Sequence, residues 1–408
     1  MAESTQRARW QVTLFIAAGL FFSGTVNASV LNYGGIVGID TLGIPNATYS
    51  VLLVVASLVG AAASVALGYV SDKVRDRRIL VALTALMGTL GYGLIFVFRS
   101  PLAFIIATCL VMPFGNALFS QTFSYARSYY NARDPGRAEF MNSVLRAVFT
   151  VAWIIVPPLT GWLAAATTVF NPYGVAALAF AGCAMVYVVL LFDPDAKIGV
   201  PPRARGEPAA KLARARIEPV ILGGIVGVTL IFTAVAVRTV TIPLLITSTL
   251  KGSLTDLGIF AGLAAALEVP FVIFWGYALR WLSKHTIIII AAVIYAVYLV
   301  LLSRAGSVSD VLWLQLLNGP ATAALLSIPI SYLQDAIRGR VGLSTSLLDV
   351  SHVVSALASA AFFGALTATA PNYPMLMVAA AVLSIAGAVV LFVVHRMIPA
   401  SPADATSR

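Results

Sequence analysis

The chain has 408 residues, of which 60% are hydrophobic and only 10% charged. A soluble domain carries roughly 25% charged residues, so this composition and a mean hydropathy of +0.94 exclude one and mark a polytopic membrane protein. The net charge of +10 does not argue for a nucleic-acid partner, because its placement in loops accounts for it.

Residues 1–10 are too polar for a signal peptide, and the first apolar run has no small-residue cleavage site. They read as a short cytoplasmic tail. A helix needs about 20 apolar residues to cross the hydrocarbon, and the apolar runs then predict twelve spans. In the first half these are 12–31, 49–70, 79–98, 102–125, 139–165 and 172–192. In the second they are 219–247, 254–277, 285–303, 311–333, 341–367 and 372–394. Cys109 and Cys183 fall inside apolar runs and suggest neither a disulfide framework nor a metal site. His285, His352 and His395 have no metal-ligand spacing.

Charge tests this plan. The loop after the second span holds Lys73, Arg75, Arg77 and Arg78 beside Asp72 and Asp76. A short loop this basic is expected on the cytoplasmic side. Alternation then places most of the 26 Lys and Arg on that side, including those of the stretch 193–218. Arg99, Lys251 and Arg304 fall on the other side, and Arg146 and Arg238 lie within spans. The asymmetry supports both the span count and cytoplasmic termini.

The stretch 193–218 is the one long hydrophilic break and separates six spans from six. The expected domains are a first bundle over 1–192, a cytoplasmic linker over 193–218, a second bundle over 219–398 and a tail over 399–408. Short patterns recur between the halves at offsets of 203 to 208 residues: Gly68-Tyr69 with Gly276-Tyr277, Ser120/Ser124-Tyr125 with Ser327/Ser331-Tyr332, and Gly136-Arg137 with Gly339-Arg340. Their common order argues for a duplicated six-span unit. Parallel repeats of this kind place a substrate site between the halves.

Gly68, Asp72, Lys73, Arg77 and Arg78 resemble the loop that marks the major facilitator superfamily between its second and third spans. Arg75 stands where a second glycine is usual, and Asp76 is extra. This variant is similar to that of the sugar efflux transporter family. Leu145-Arg146-Ala147 with Trp153 and Pro157-Pro158 resembles that family's fifth span, although Val156 replaces a glycine. Leu267-Glu268-Val269-Pro270 resembles its eighth, and Tyr332 to Asp335 with Gly342, Thr345 and Ser346 resembles the entry to its eleventh. The resemblance runs from about Tyr69 to Phe363. It implies an all-α fold of two six-helix repeats and proton-coupled export of small sugars or glycosides. In this superfamily the first, fourth, seventh and tenth spans line the cavity, and here they offer Asn27, Asn116, Ser120, Gln121, Thr233, Asn318 and Thr322. Isolated amides in spans also serve as helix-packing groups. The loop is expected to act as a gate, with Asp72 meeting a cation or a helix N-terminus in one access state.

An ionised group in the membrane costs at least ~2.5–3.5 kcal/mol on insertion scales, so each needs a reason. Glu268 sits midway along the eighth span among alanines. A desolvated carboxyl there can exchange protons near neutral pH, or form a static ion pair with an arginine. Arg146 shares a helical face with Asn142, Thr150 and Trp153. A cation, an amide, a hydroxyl and an indole suit a polyhydroxylated ligand, but Arg146 can also snorkel to the cytoplasmic interface. Asp349 is the repeat equivalent of Arg146, with Ser346 and His352 three residues to either side. A carboxylate and an imidazole so placed can share a proton, or simply form a local pair. Arg238, near the outer part of the seventh span, either meets Glu268 or reaches the outer interface. Pro157-Pro158 interrupts the fifth span and hints at exchange.

The expected protein is thus a secondary antiporter of the cytoplasmic membrane. It needs no cofactor beyond a proton gradient and works as a monomer on a small sugar or glycoside. A drug-type efflux antiporter and a proton–sugar uptake symporter remain open, since fold decides neither ligand nor direction. A non-transporting sensor would call for an added soluble domain. No nucleophile–base set, phosphate loop or metal cluster points to an enzyme.

Overall fold

The computed structural model describes residues 2–74, 76–198, 219–336, 341–368 and 371–397. The side chains of 2–9, 68, 71–73, 219–220, 334–336, 341–346 and 397 lie outside the described set. Most of the stretch 193–218 and all of 399–408 also fall outside it. The regular elements of the described residues are all helices, with no strand among them.

Among the described residues, twelve helices are long and apolar enough to cross a membrane. In the first half they are α1 (Trp10–Val30), α2 (Asn46–Leu67), α3 (Arg77–Phe98), α4 (Pro101–Arg133), α5 (Pro135–Ala166) and α6 (Asn171–Phe192). In the second they are α7 (Ile221–Thr249), α8 (Leu254–Ala278), α9 (Lys284–Leu302), α10 (Val308–Leu333), α11 (Leu347–Thr367) and α12 (Tyr373–Arg396). Each matches an expected span. The clearest difference is α4, which runs on past residue 125 to Arg133. The apolar count marks the end of the hydrocarbon, whereas the backbone ladder continues through polar turns.

Helix ends follow local chemistry. Ser100, Ser283 and Ser307 accept backbone N–H groups at the starts of α4, α9 and α10. Gly43, Arg99 and Lys251 turn the chain with φ of 69°, 45° and 56°. The Arg99 guanidinium then lies over the Phe96 and Phe170 rings, at 5.7 and 5.6 Å from their centroids.

The chain divides into two compact units: Met1–Glu207 with Ile246–Gly262, and Pro208–Leu245 with Leu263–Arg408. In the first, α1 packs on α5 and α6, and α3 packs on α6. Tyr92 of α3 stacks on Phe180 of α6 at 5.3 Å. In the second, α7 packs on α11 and α12, and α9 on α10 and α12. The Ser355 and Ser384 hydroxyls pin these pairs by donating to Thr229 and Ala292 carbonyls at 3.0 and 2.8 Å. Large apolar side chains such as Leu178, Ile273 and Phe192 point outward. In water that surface would be costly, and in lipid it is the matching solvent.

The two prolines do not interrupt α5, contrary to expectation; the helix Ala138–Ala166 continues through both. Pro158 cannot donate to the Ile154 carbonyl. That carbonyl instead faces Gly262, where a Cβ would sit 2.9 Å away. One turn on, a Cβ on Gly258 would lie 2.4 Å from the Pro157 carbonyl oxygen and 2.9 Å from the Gly161 Cα. The start of α8 therefore crosses α5 backbone to backbone, which only glycines allow.

Candidate transport sites

The basic loop is built around Arg78, which is only 2% exposed. Asp76 ends the loop and caps α3 by accepting the Arg78 backbone N–H at 3.1 Å. Its carboxylate also takes the Arg78 guanidinium, with Nε at 2.9 Å and Nη2 at 2.6 Å. Nη1 donates to the Leu190 and Asp193 carbonyls at the end of α6. An arginine among the last carbonyls of a helix satisfies groups the ladder leaves open. Arg78 holds the Asp76 carboxyl below the usual carboxylate range, chiefly by this hydrogen bonding. Arg77 donates to Ser124 of α4 at 2.6 Å. The side chains of Gly68, Asp72 and Lys73 lie outside the described residues. The residue that looked extra in the motif, Asp76, thus organises the described part of the loop.

In the first unit, Arg146 is exposed, while Asn142 and Trp153 are half-buried. The Thr150 hydroxyl donates to the Arg146 carbonyl at 3.0 Å. The Asn142 Oδ1 and Trp153 Nε1 atoms are buried without a hydrogen-bond partner. Buried polar atoms are normally paired, and these two are exceptions. Trp153 packs with Phe21 on a cluster of Ala28, Ala152 and Val156. Phe119 and Phe123 of α4 meet Phe149 of α5 at 4.9 and 5.9 Å. Nothing in the sequence marks these phenylalanines, because apolar residues in a span carry no signal of which face they occupy. Asn27 reaches the Ser23 carbonyl at 3.5 Å. Asn116 is exposed where α4 breaks after its π-helical turn Ala107–Val111, and Gln121 is half-buried beyond it.

In the second unit, Arg238 turns onto α9. Its Nε and Nη2 both donate to the Tyr298 hydroxyl at 3.3 Å, and its guanidinium lies 5.8 Å from that ring's centroid. Glu268 is half-buried on α8, and it and Arg238 act on each other electrostatically. Tyr295 and Tyr298 are both fully buried, with rings 5.6 Å apart. Their signal was two hydroxyls three residues apart in an otherwise aliphatic span, where each needs a partner. Asn318 is 1% exposed and donates to Gln315 at 2.9 Å, leaving its Oδ1 without a partner. Asp349 and His352 are exposed and interact electrostatically. The His352 ring stacks on Phe232 of α7 at 4.4 Å and 7°. Where α9 begins and α12 ends, His285 and His395 stack at 3.4 Å beside a cleft of about 360 Å³ that Ser283, Lys284 and Tyr332 also line.

The sequence profile of the Major Facilitator Superfamily matches residues 12–317. The chain belongs to the major facilitator superfamily. Sugar efflux transporter B of Salmonella typhimurium is 30% identical over 277 residues, covering 68% of this chain and 69% of the relative. Sugar efflux transporter A of Dickeya chrysanthemi is 29% identical over 297 residues, covering 71% and 72%. These matches bear out the resemblance read from the motifs of this facilitator. Among solved structures, the nucleoside transporter NupG superposes with a TM-score of 0.74 at 13% identity, covering 95% of this chain and 100% of that one. This last likeness shows the shared all-helical fold.

Proposed function

We propose that this facilitator exports small sugars or glycosides in exchange for protons, by alternating access, across the cytoplasmic membrane with both termini inside. The sugar efflux relatives support the substrate class, and the distribution of Lys and Arg supports the orientation. The observation that carries proton coupling is Glu268, a carboxyl within the span α8 on which Arg238 acts. A neutral, protonated carboxyl leaves Arg238 to other acceptors, and a carboxylate attracts it. A proton moving on and off Glu268 therefore changes the forces between α7 and α8. The unpartnered Trp153 Nε1 and Asn142 Oδ1, with the aromatic rings of α1, α4 and α5, offer a sugar hydrogen bonds and stacking faces.

The test is counterflow in proteoliposomes with lactose, glucose, an alkyl glucoside and a lipophilic cation dye, with and without a pH gradient. Saturable sugar exchange accelerated by the gradient is expected, and Glu268→Gln removes the acceleration. Indifference to sugars with rapid dye exchange would overturn the sugar reading in favour of drug-type efflux.

A further inference from the structure

We infer that the cleft where α9 begins and α12 ends binds the phosphate of an anionic phospholipid, held chiefly by Lys284 and His395. The cleft lies within the second compact unit, where four spans end together. The span α8 stops at Ala278, α9 starts at Lys284, α10 stops at Leu333 and α12 stops at Arg396. Its volume of about 360 Å³ falls among small-ligand pockets, roughly 300–1,000 Å³.

The lining supplies donors. Lys284 brings an ammonium, fixed between α9 and α10 by its bond to the Ser331 carbonyl at 3.4 Å. Ser283 and Tyr332 add hydroxyls. The His285 Nδ1 lies 2.6 Å from the Ser283 hydroxyl, which fixes the ring that His395 covers. His395 is exposed and brings an N–H in either tautomer. No carboxylate lines the cleft among the described residues. Two further cations stand beside it in the chain, Arg280 over the Tyr277 ring at 4.9 Å and Arg396 over the Phe392 ring at 4.6 Å. Convergent N–H and O–H donors with a cation suit a phosphate oxygen. Basic pockets between spans at the membrane surface take anionic headgroups. The rest of the wall favours a lipid over a soluble phosphate ester. Leu279 and Leu282 complete it with apolar surface. Tyr277 and Trp281 are exposed beside them with rings 4.5 Å apart, as aromatics stand at headgroup level.

The experiment reads bound lipid on the purified full chain in a neutral detergent, by native mass spectrometry. Phosphatidylglycerol and phosphatidylcholine are titrated separately, and glycerol 3-phosphate is added as a competitor. One phosphatidylglycerol is expected to bind more tightly than phosphatidylcholine. Lys284→Gln should weaken that first site about tenfold, the loss of one charge-assisted hydrogen bond. His395→Glu, at an exposed position that tolerates exchange, should weaken it at least as much, and it covers the case in which the Gln variant fails to fold. Arg127→Gln removes the same charge from an exposed position on α4 and should leave the site unchanged. Undiminished binding in both cleft variants, an equal loss in Arg127→Gln, or equal affinity for phosphatidylcholine overturns the inference. Release of the lipid by an equal concentration of glycerol 3-phosphate would make this a site for a soluble phosphate ester and overturn the lipid assignment.

Discussion

Arg78 shows how much one side chain can hold at the end of a bundle. It is tied to Asp76, to Leu190 and to Asp193, and it is almost completely buried. Removing one partner of a buried pair leaves the other charge uncompensated, at a cost of about 3–5 kcal/mol. Since Asp76 keeps 21% of its side chain exposed, the lower end applies. Arg78→Met is expected to lower the thermal unfolding midpoint in detergent by several degrees, read by tryptophan fluorescence. The lowered Asp76 carboxyl gives this tie an acid limit. Its contribution is complete above the ordinary carboxylate value of about 3.9 and fades as pH falls through the lower native value. Unfolding midpoints measured across pH should therefore drop at the acid end, and less so in Asp76→Asn, which starts lower at neutral pH. Little of this was legible. The motif singled out Arg78 as a cation, but which carbonyls it meets depends on where α6 ends in space. Arg238 is similar: a sequence position near a span's end permits snorkelling or inward pairing, and only the placement of Tyr298 on a neighbouring helix decides.

At the scale of helices, the twelve spans were readable because twenty apolar residues have one economical use in a membrane. Their facing was not. Lipid and the bundle interior are both apolar, so periodicity loses the contrast that orients a helix in a soluble protein. Glycines restore part of that contrast. Gly258 and Gly161 sit where α8 and α5 touch, whereas a Cβ on Gly93 of α3 would meet nothing within 4 Å. Gly258→Leu should force the helices apart and cost about 1–3 kcal/mol, the usual price of overpacking. Gly93→Ala should leave the unfolding midpoint unchanged or raise it slightly, since Ala favours helix by roughly 1 kcal/mol over Gly. Equal destabilisation by both would contradict the contact. The two prolines carried the opposite lesson. Their effect on the backbone was foreseeable, yet α5 runs through them unbroken, with Gly262 lying opposite the carbonyl that Pro158 leaves free.

For the whole molecule, the proposed orientation can be read directly with thiol chemistry. Cys109 and Cys183 are buried and donate to the Leu52 and Gly19 carbonyls, so thiol reagents should meet little background. Cysteines introduced at Lys251 and Arg304 should react with a membrane-impermeant maleimide on intact cells, and those at Arg133 and Arg280 only after lysis. The reverse pattern would invert the proposed orientation. The loop motifs that recur between the halves were legible in sequence. The pairing of His285 with His395 was not, since 110 residues separate them and only the packing of α9 on α12 unites them. That same packing has a consequence for the surrounding lipid. The helix α9 has 19 residues, the fewest of the twelve, and is roughly 28 Å long at 1.5 Å per residue. Longer spans adapt to a thick bilayer by tilting, but α9 is flanked by neighbours and has little length to spare. Acyl chain length should therefore act on this transporter through its shortest helix. Bilayers much thicker than α9 would strain the span that carries both tyrosines.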